Sequence, residues 1–271
     1  MAFAILHGVQ SDVGRKRPHN EDSYCADTHL GLFVVCDGMG GGNAGEVASA
    51  LAVETIHRHI AEATQHPEYP FIEELDDTVS PSTNRLASSI RLANAAIYNT
   101  AHNRSDWSGM GTTVVAATVT EQILSFAHVG DSRLYLLRNR SIQPLTMDHS
   151  WVAEQVRQGF LTEEEAERSP RRNIVTRVLG VEATVEVTVG ELPLVPNDVL
   201  LLCSDGLTKG VQSSRILDAL HDTDDVEAVA RRLVTLANES GGEDNTTVIV
   251  LAVRERHESG LWQRLRQRLA I

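Results

Sequence analysis

Positive charge is what this chain has least to spare. Its 24 lysine and arginine residues face 37 aspartate and glutamate residues, a formal net charge of −13, with an isoelectric point near 5.3. A general nucleic-acid binder draws its affinity from a basic surface, so the balance argues against that class. Cysteine is scarce too. Cys25, Cys36 and Cys203 are odd in number, and two of them sit in apolar strand-like runs. They read as reduced core residues of a cytoplasmic protein, not as a disulfide framework. No apolar run reaches the length of a membrane span, and no basic region followed by a long apolar one opens the chain. Three signatures of catalysis are missing as well. No Gly-Lys-Ser/Thr follows the glycines at 38–42, which weakens a phosphate-cradling loop. No Cys or His pairing has zinc-site spacing. No Gly-x-Ser-x-Gly elbow offers a serine nucleophile.

What is present suffices for a sizeable core: 271 residues, 42% of them hydrophobic, enough for one large domain or two small ones. The chain is organised around Val34-Val35-Cys36-Asp37-Gly38-Met39-Gly40-Gly41-Gly42. Gly31 to Cys36 is a short β-branched apolar run and predicts a buried strand. A carboxylate at the mouth of such a strand is costly unless something pairs with it, and a metal ion is one such partner. The glycines strip side chains from the turn, so a ligand can approach the backbone. A strand-to-helix turn carrying a solvated aspartate is the plainer alternative.

In chain order, Phe3 to Ser11 predicts a first strand. Arg15 to Tyr24 packs three cations ahead of Glu21 and Asp22. Either one of these carboxylates is a metal ligand and Arg17 an anion clamp, its guanidinium matching phosphate oxygens in pairs, or the stretch is a charged surface loop with an Arg/Glu pair. Asn43 to Ala63 and Asn84 to His102 carry apolar stripes at helical spacing. His57 and His59, two apart, are expected at the surface. His66 to Thr83 predicts a loop. Thr112 to Thr120 and Ile123 to Val129 predict a hairpin across Glu121-Gln122, and Leu134 to Arg138 another strand. His149 to Gly159 and Thr162 to Arg168 predict two short helices without a strong apolar stripe, the second opened by a Thr162/Glu165 capping box. They are expected to form a flap over the site. Thr184 to Leu192 alternates like a half-exposed strand. Val199 to Cys203 is a further apolar strand, Ser213 to His221 and Val226 to Ser240 are helical, and Thr246 to Val253 is the last strand. Arg254 to Ile271 predicts a basic amphipathic helix outside the main domain, divided as 1–253 and 254–271. That tail would pack on its own domain, self-associate, or dock on an acidic partner or anionic lipid.

Asp37, Asp131 and Asp205 each stand beside a glycine after an apolar strand, and Asp244 stands just before one. Four such cases suggest strand ends converging on one cluster of oxygen ligands. Such a cluster suits hard divalent cations, magnesium or manganese. Two such ions can activate a water and stabilise the attacking and leaving oxygens of phosphoryl transfer.

Six segments then carry a family resemblance: Arg17-Pro18-His19-Asn20-Glu21-Asp22, Asp37-Gly38-Met39-Gly40-Gly41, Gly109-Met110-Gly111-Thr112-Thr113, Gly130-Asp131-Ser132-Arg133, Ser204-Asp205-Gly206-Leu207 and Asp244-Asn245-Thr246-Thr247. In this order they resemble the metal-dependent protein phosphatases of the type 2C serine/threonine class, in their short bacterial form, from about Gly8 to Val253. The resemblance implies an α+β fold, a four-layer α-β-β-α sandwich of two antiparallel β-sheets flanked by helices. It implies hydrolysis of phosphoserine and phosphothreonine on proteins, opposing a bacterial Ser/Thr kinase, by direct attack of a metal-bridging water at a dinuclear Mg2+ or Mn2+ centre. It also implies roles. Asp37 would bridge two ions and the Gly38 carbonyl bind one of them. Glu21 or Asp22 would complete the second ion's shell, partly through water, and Asp205 and Asp244 would hold the first. Asp131, with Asp205, matches a weaker third position, and Arg17 matches the phosphate-binding arginine. His149 to Asn173 falls where the family places its variable flap.

Two departures stand out. Met39 occupies the position where eukaryotic members usually carry a histidine proposed as general acid, so water or another group must protonate the leaving alkoxide. Gly42-Asn43 replaces a common His-Ala, with Asn43 a suitable N-cap. A phosphopeptide-binding scaffold of the same fold, without hydrolysis, is the alternative from another class. A complete acidic set weighs against it.

Overall fold

The computed structural model describes residues 3–40, 44–66, 68–71, 75–221 and 225–255. The first sheet runs β1 (Phe3–Asp12), β11 (Thr246–Glu255), β10 (Val199–Cys203), β7 (Arg133–Arg138), β8 (Ser141–Pro144). The second runs β2 (Asp22–Asp27), β3 (Leu32–Met39), β5 (Val114–Thr120), β6 (Ile123–Val129), β9 (Thr188–Pro193), and the two-residue β4 (Gly111–Thr112) pairs the end of β3. Every pairing is antiparallel.

The central strands are apolar on both faces because both faces are covered. Along β3, Leu32, Val34 and Cys36 face α1 (Ala44–Gln65) and α2 (Pro81–Asn103), while Phe33 and Val35 face the other sheet. Along β11, Val248, Val250 and Ala252 pack under α5 (Asp205–Gly210), α6 (Ser213–Leu220) and α7 (Val226–Glu239), while Ile249, Leu251 and Val253 enter the inter-sheet layer. Side chains alternate across a strand, so one continuous apolar run feeds two cores. Three apolar layers between four layers of backbone result, the expected α-β-β-α sandwich. α3 (Trp151–Arg157) and α4 (Glu163–Arg168) stand apart from these layers; α3 buries no residue and α4 only Ala166.

Local signals hold in several places. The β5–β6 hairpin closes with Thr120 opposite Ile123, and Glu121 takes a left-handed φ of 57°. The α4 capping box is formed: Glu165 N–H donates to Thr162 Oγ1 (3.2 Å) and Thr162 N–H to Glu165 Oε2 (2.8 Å).

Other expectations are corrected. The charged stretch before Tyr24 is not a loop throughout, because Asp22 already pairs into β2. The strand expected over Thr112 to Thr120 is split into β4 and β5. β9 begins at Thr188, four residues later than its alternation suggests. α2 begins at Pro81, where Ser80 Oγ accepts from Thr83 N–H (3.3 Å) and proline suits the first turn. His59 is not at the surface: it lies on the same stripe as Ile56 and Ile60, is 2% exposed, and meets the Tyr69 ring edge-on at 5.2 Å. His57 does lie outward, paired with Asp27 at 2.9 Å. The last strand continues through Arg254 and Glu255. The rest of the expected tail helix, Gly41, Gly42 and the Asn43 cap lie outside the described residues.

Candidate metal centre

The carboxylates sit at one end of the sandwich because of strand register. Asp22 on β2 lies directly opposite Asp37 on β3. The Gly-Thr-Thr segment locks the end of β3 from the other side. Thr113 N–H and Thr112 Oγ1 both donate to the Asp37 carbonyl at 2.9 Å, and Asp37 N–H donates to Thr113 Oγ1 at 3.2 Å. The first turn of α1 presses onto this end. A Cβ on Gly38 would lie 2.1 Å from the Gly45 carbonyl oxygen, and one on Gly45 would lie 2.9 Å from Glu21 Oε1. Only glycine allows that approach.

The two sheets are joined at the same place. Asn245 accepts from Glu21 N–H (2.8 Å) and donates to the Val13 and His19 carbonyls (both 2.9 Å), fastening the 13–21 segment to the start of β11. Ser204 Oγ donates to Asp22 Oδ2 (2.8 Å) and accepts from Thr247 N–H (2.9 Å), tying the end of β10 to β2. Asp205 follows as the first residue of α5. None of Asn245, Ser204, Thr247, Thr112 and Thr113 was assigned a role from sequence. Their only signal is membership of the motif segments 109–113, 204–207 and 244–247.

Asp22, Asp131 and Asp205 are less than a tenth exposed, while Asp37, Asp244 and Glu21 keep part of their surface open. Burial pushes the Asp22 carboxyl up to about 7, against hydrogen bonds from Thr247 and Ser204 and with added repulsion from Asp205. Burial, then repulsion from Asp205, carries Asp131 to about 7. Asp37 lies well above the ordinary carboxylate range, from desolvation first and then the fields of Asp22, Asp205, Asp131 and Asp244. Asp205 and Glu21 are raised mainly by desolvation. Such a cluster cannot hold its full negative charge without cations.

The chain supplies two of its own. Arg17 grips Asp244 with two nitrogens, Nε to Oδ1 at 2.9 Å and Nη2 to Oδ2 at 3.0 Å. Lys209 pairs with Asp205. Arg17 therefore has a carboxylate partner, but it is Asp244 from the far end of the sequence, not Glu21. Among the described residues no three carboxylate, imidazole or thiol groups form a finished ligand set.

The residues nonetheless fit divalent ions. Asp22 Oδ1 and Asp205 Oδ1 are buried with no hydrogen-bond partner. A buried, partnerless carboxylate oxygen is costly, and an all-oxygen set suits a hard cation. Asp37, Asp22, Asp205, Asp131 and Asp244 interact electrostatically, with Glu21 beside them; Gly38 stands next to Asp37.

The sequence profile of a family described as Protein phosphatase 2C matches residues 15–247. The chain belongs to the protein phosphatase 2C family. Among its relatives, the serine/threonine phosphatase stp of Listeria welshimeri is 40% identical over 245 residues, 89% of this chain and 93% of the relative. The crystal structure of the Mycobacterium tuberculosis serine/threonine phosphatase PstP/Ppp superposes with a TM-score of 0.80 at 35% identity, covering 93% of this chain and 99% of that one. The catalytic domain of PstP, solved in complex with two manganese ions, gives 0.79 at 34% identity over 93% and 100% of the two chains. This phosphatase is thus a metal-dependent protein phosphatase of the serine/threonine class, with manganese or magnesium as cofactor. Among its described residues no helix is long and apolar enough to cross a membrane.

Proposed function

We propose that this phosphatase hydrolyses phosphoserine and phosphothreonine on proteins modified by a serine/threonine kinase, at the mouth formed by Asp37, Asp22 and Asp205. The observation that carries the assignment of residues is the pair of buried, partnerless oxygens, Asp22 Oδ1 and Asp205 Oδ1, within a group of mutually repelling carboxylates. Asp37, the Gly38 carbonyl, Glu21 or Asp22, Asp205 and Asp244 would hold two ions, and Asp131 with Asp205 is the candidate for a weaker third. When bound, the ions supply activation of water and neutralisation of phosphoryl charge.

The chain's own groups do the rest. Thr112 and Thr113 fix the Asp37 backbone, so the carboxylate does not need to reorganise when charge develops. Arg17 is half exposed and holds a carboxylate with a two-pronged grip. The same fork matches two phosphoryl oxygens. Asp244 cannot serve an ion and keep Arg17 fully engaged, so filling the centre would free the guanidinium for substrate. Arg17→Ala should then lower kcat/KM by about 1.5–3 kcal/mol, chiefly through KM. Met39 offers no proton, which leaves protonation of the leaving alkoxide to water or another group.

The test is turnover of p-nitrophenyl phosphate and of a phosphothreonine peptide, with and without manganese. Manganese-dependent hydrolysis of both is expected. Peptide binding without hydrolysis would make the chain a phosphopeptide-binding module instead.

A further inference from the structure

Arg17 and Lys209 both touch the carboxylate cluster, and they differ in how freely they can leave it. Arg17 sits on the segment before β2 with 50% of its side chain exposed. Lys209 sits one helical turn beyond Asp205 on α5, the i,i+4 spacing that brings acid and base together on a helix face, and its ammonium is paired with Asp205 Oδ2. α5 is seated tightly on the residue that leads into β11: a Cβ on Gly206 would be 2.0 Å from the Asn245 carbonyl oxygen. The ammonium also acts on Asp131 and on Asp244. Asp205 keeps its second oxygen, Oδ1, buried and without a partner.

We propose that Lys209 is a tethered cation that fills the Asp131–Asp205 end of the cluster in place of a divalent ion. This rests on the assignment of the aspartates as metal ligands. A divalent ion entering at Asp131 and Asp205 must displace the ammonium or share the carboxylates with it. Like charges at contact distance repel strongly in a half-buried site, so the lysine weakens uptake there by about tenfold or more. Asp205 Oδ1, left without a partner, stays available to the first core ion, which would bind beside an end that the chain itself neutralises. A third ion, implied by the family resemblance, is thereby kept out at ordinary metal concentrations.

The test counts manganese bound per full-length chain by equilibrium dialysis with metal analysis. Lys209→Met should take up one more ion per chain, at a concentration about tenfold or more below any extra uptake by the unmodified protein. Lys209→Arg, which keeps the cation, should match the unmodified protein. Adding Asp131→Asn to Lys209→Met should remove the extra ion. A salt bridge with only a structural role would lower the metal-free melting temperature in Lys209→Met but leave the count unchanged. Equal counts and affinities in the two proteins would therefore overturn the proposal. Should Lys209→Met fail to fold, Lys209→Gln is read by the same criterion. An unmodified protein that binds no manganese would overturn the metal assignment itself, and the tethered cation with it.

Discussion

The helices that cover the sheets and the two that stand apart from the layers, α3 and α4, are built by opposite rules. α1, α2 and α7 each bury a stripe of small and aliphatic side chains, such as Ala48, Ala52 and Ile56 on α1 and Val229, Leu233 and Val234 on α7. α3 and α4 bury almost nothing and rely on local hydrogen bonds: Ser150 Oγ accepting from Ala153 N–H (3.3 Å), the Thr162 capping box, and Trp151 N–H donating to the Ile174 carbonyl (2.9 Å). Between α3–α4 and the sandwich runs a cavity of about 990 Å³ that reaches Asp131 and Asp205 at its inner rim. Phe160 between the two helices is 71% exposed. The contrast teaches where rigidity is needed. Strand ends that hold repelling charges side by side must be anchored by deep packing. Helices outside the layers carry no such burden.

Asp37→Asn should have the largest effect and the least structural one. Manganese-dependent turnover should vanish, while the metal-free chain melts at or above the temperature of the unmodified protein, because one of several repelling charges is gone from an apolar platform. Activity assays beside thermal melts check this. Retained turnover in a folded variant would end the dinuclear assignment.

Next in size is the packing contrast itself. Leu134, fully buried between the sheets, and Phe160 at the α3–α4 link are both large apolar residues. Leu134→Ala should cost about 2–5 kcal/mol and Phe160→Ala no more than about 0.5 kcal/mol, read by denaturant unfolding. Similar costs would erase the distinction between the platform and the helices outside it.

A smaller effect lies at the seam between the regions. His128 on β6 and His149 ahead of α3 stack with ring centres 4.6 Å apart. Gly130 N–H donates to His149 Nδ1 (3.1 Å). Burial lowers both imidazoles below 6.5, and with the fields of His128, Arg177 and Arg157 it brings His149 down to about 3. Between those values the unfolded chain binds protons that the folded chain refuses. Stability contributed by the pair is full above about 6.5 and is lost as pH falls toward about 3. Metal-free melts from pH 7 to pH 4 should show the unmodified protein losing stability faster than His149→Gln. The buried carboxylates have the opposite trend but are common to both chains. Parallel curves would show that the stack tolerates charge.

The smallest effect should be Thr162→Ala. Loss of the cap should destabilise α4 by about 1 kcal/mol, visible as faster amide exchange within α4 with little change in global melting. A large global shift would mean that α4 is coupled to the core after all.

Much of the platform was legible along the chain. Runs such as Val199–Cys203 and Thr246–Val253 announce strands buried on both faces, and Asp205 beside Gly206 after the first and Asp244 just before the second are local patterns. The hairpin at Glu121-Gln122 and the capping box at Thr162 are local too, since neighbouring residues satisfy their hydrogen bonds. The family motifs extended that to the candidate ligands. β2 was hidden, because its charged start looks like a loop until Asp22 is seen across from Asp37. His59 was misjudged for the same reason: its imidazole follows the stripe of its helix, and burial is decided by what α1 packs against. Partner choice within the site was beyond sequence altogether. Arg17 holds Asp244, 227 positions away, Asn245 fastens the 13–21 segment, and Lys209 turns inward onto Asp205. Periodicity and turn chemistry act over a few residues, so the sequence by itself determined the strands, the helices and the supply of carboxylates. Electrostatic partners depend on distances through space, so only the packing of the two sheets decided which cation meets which aspartate.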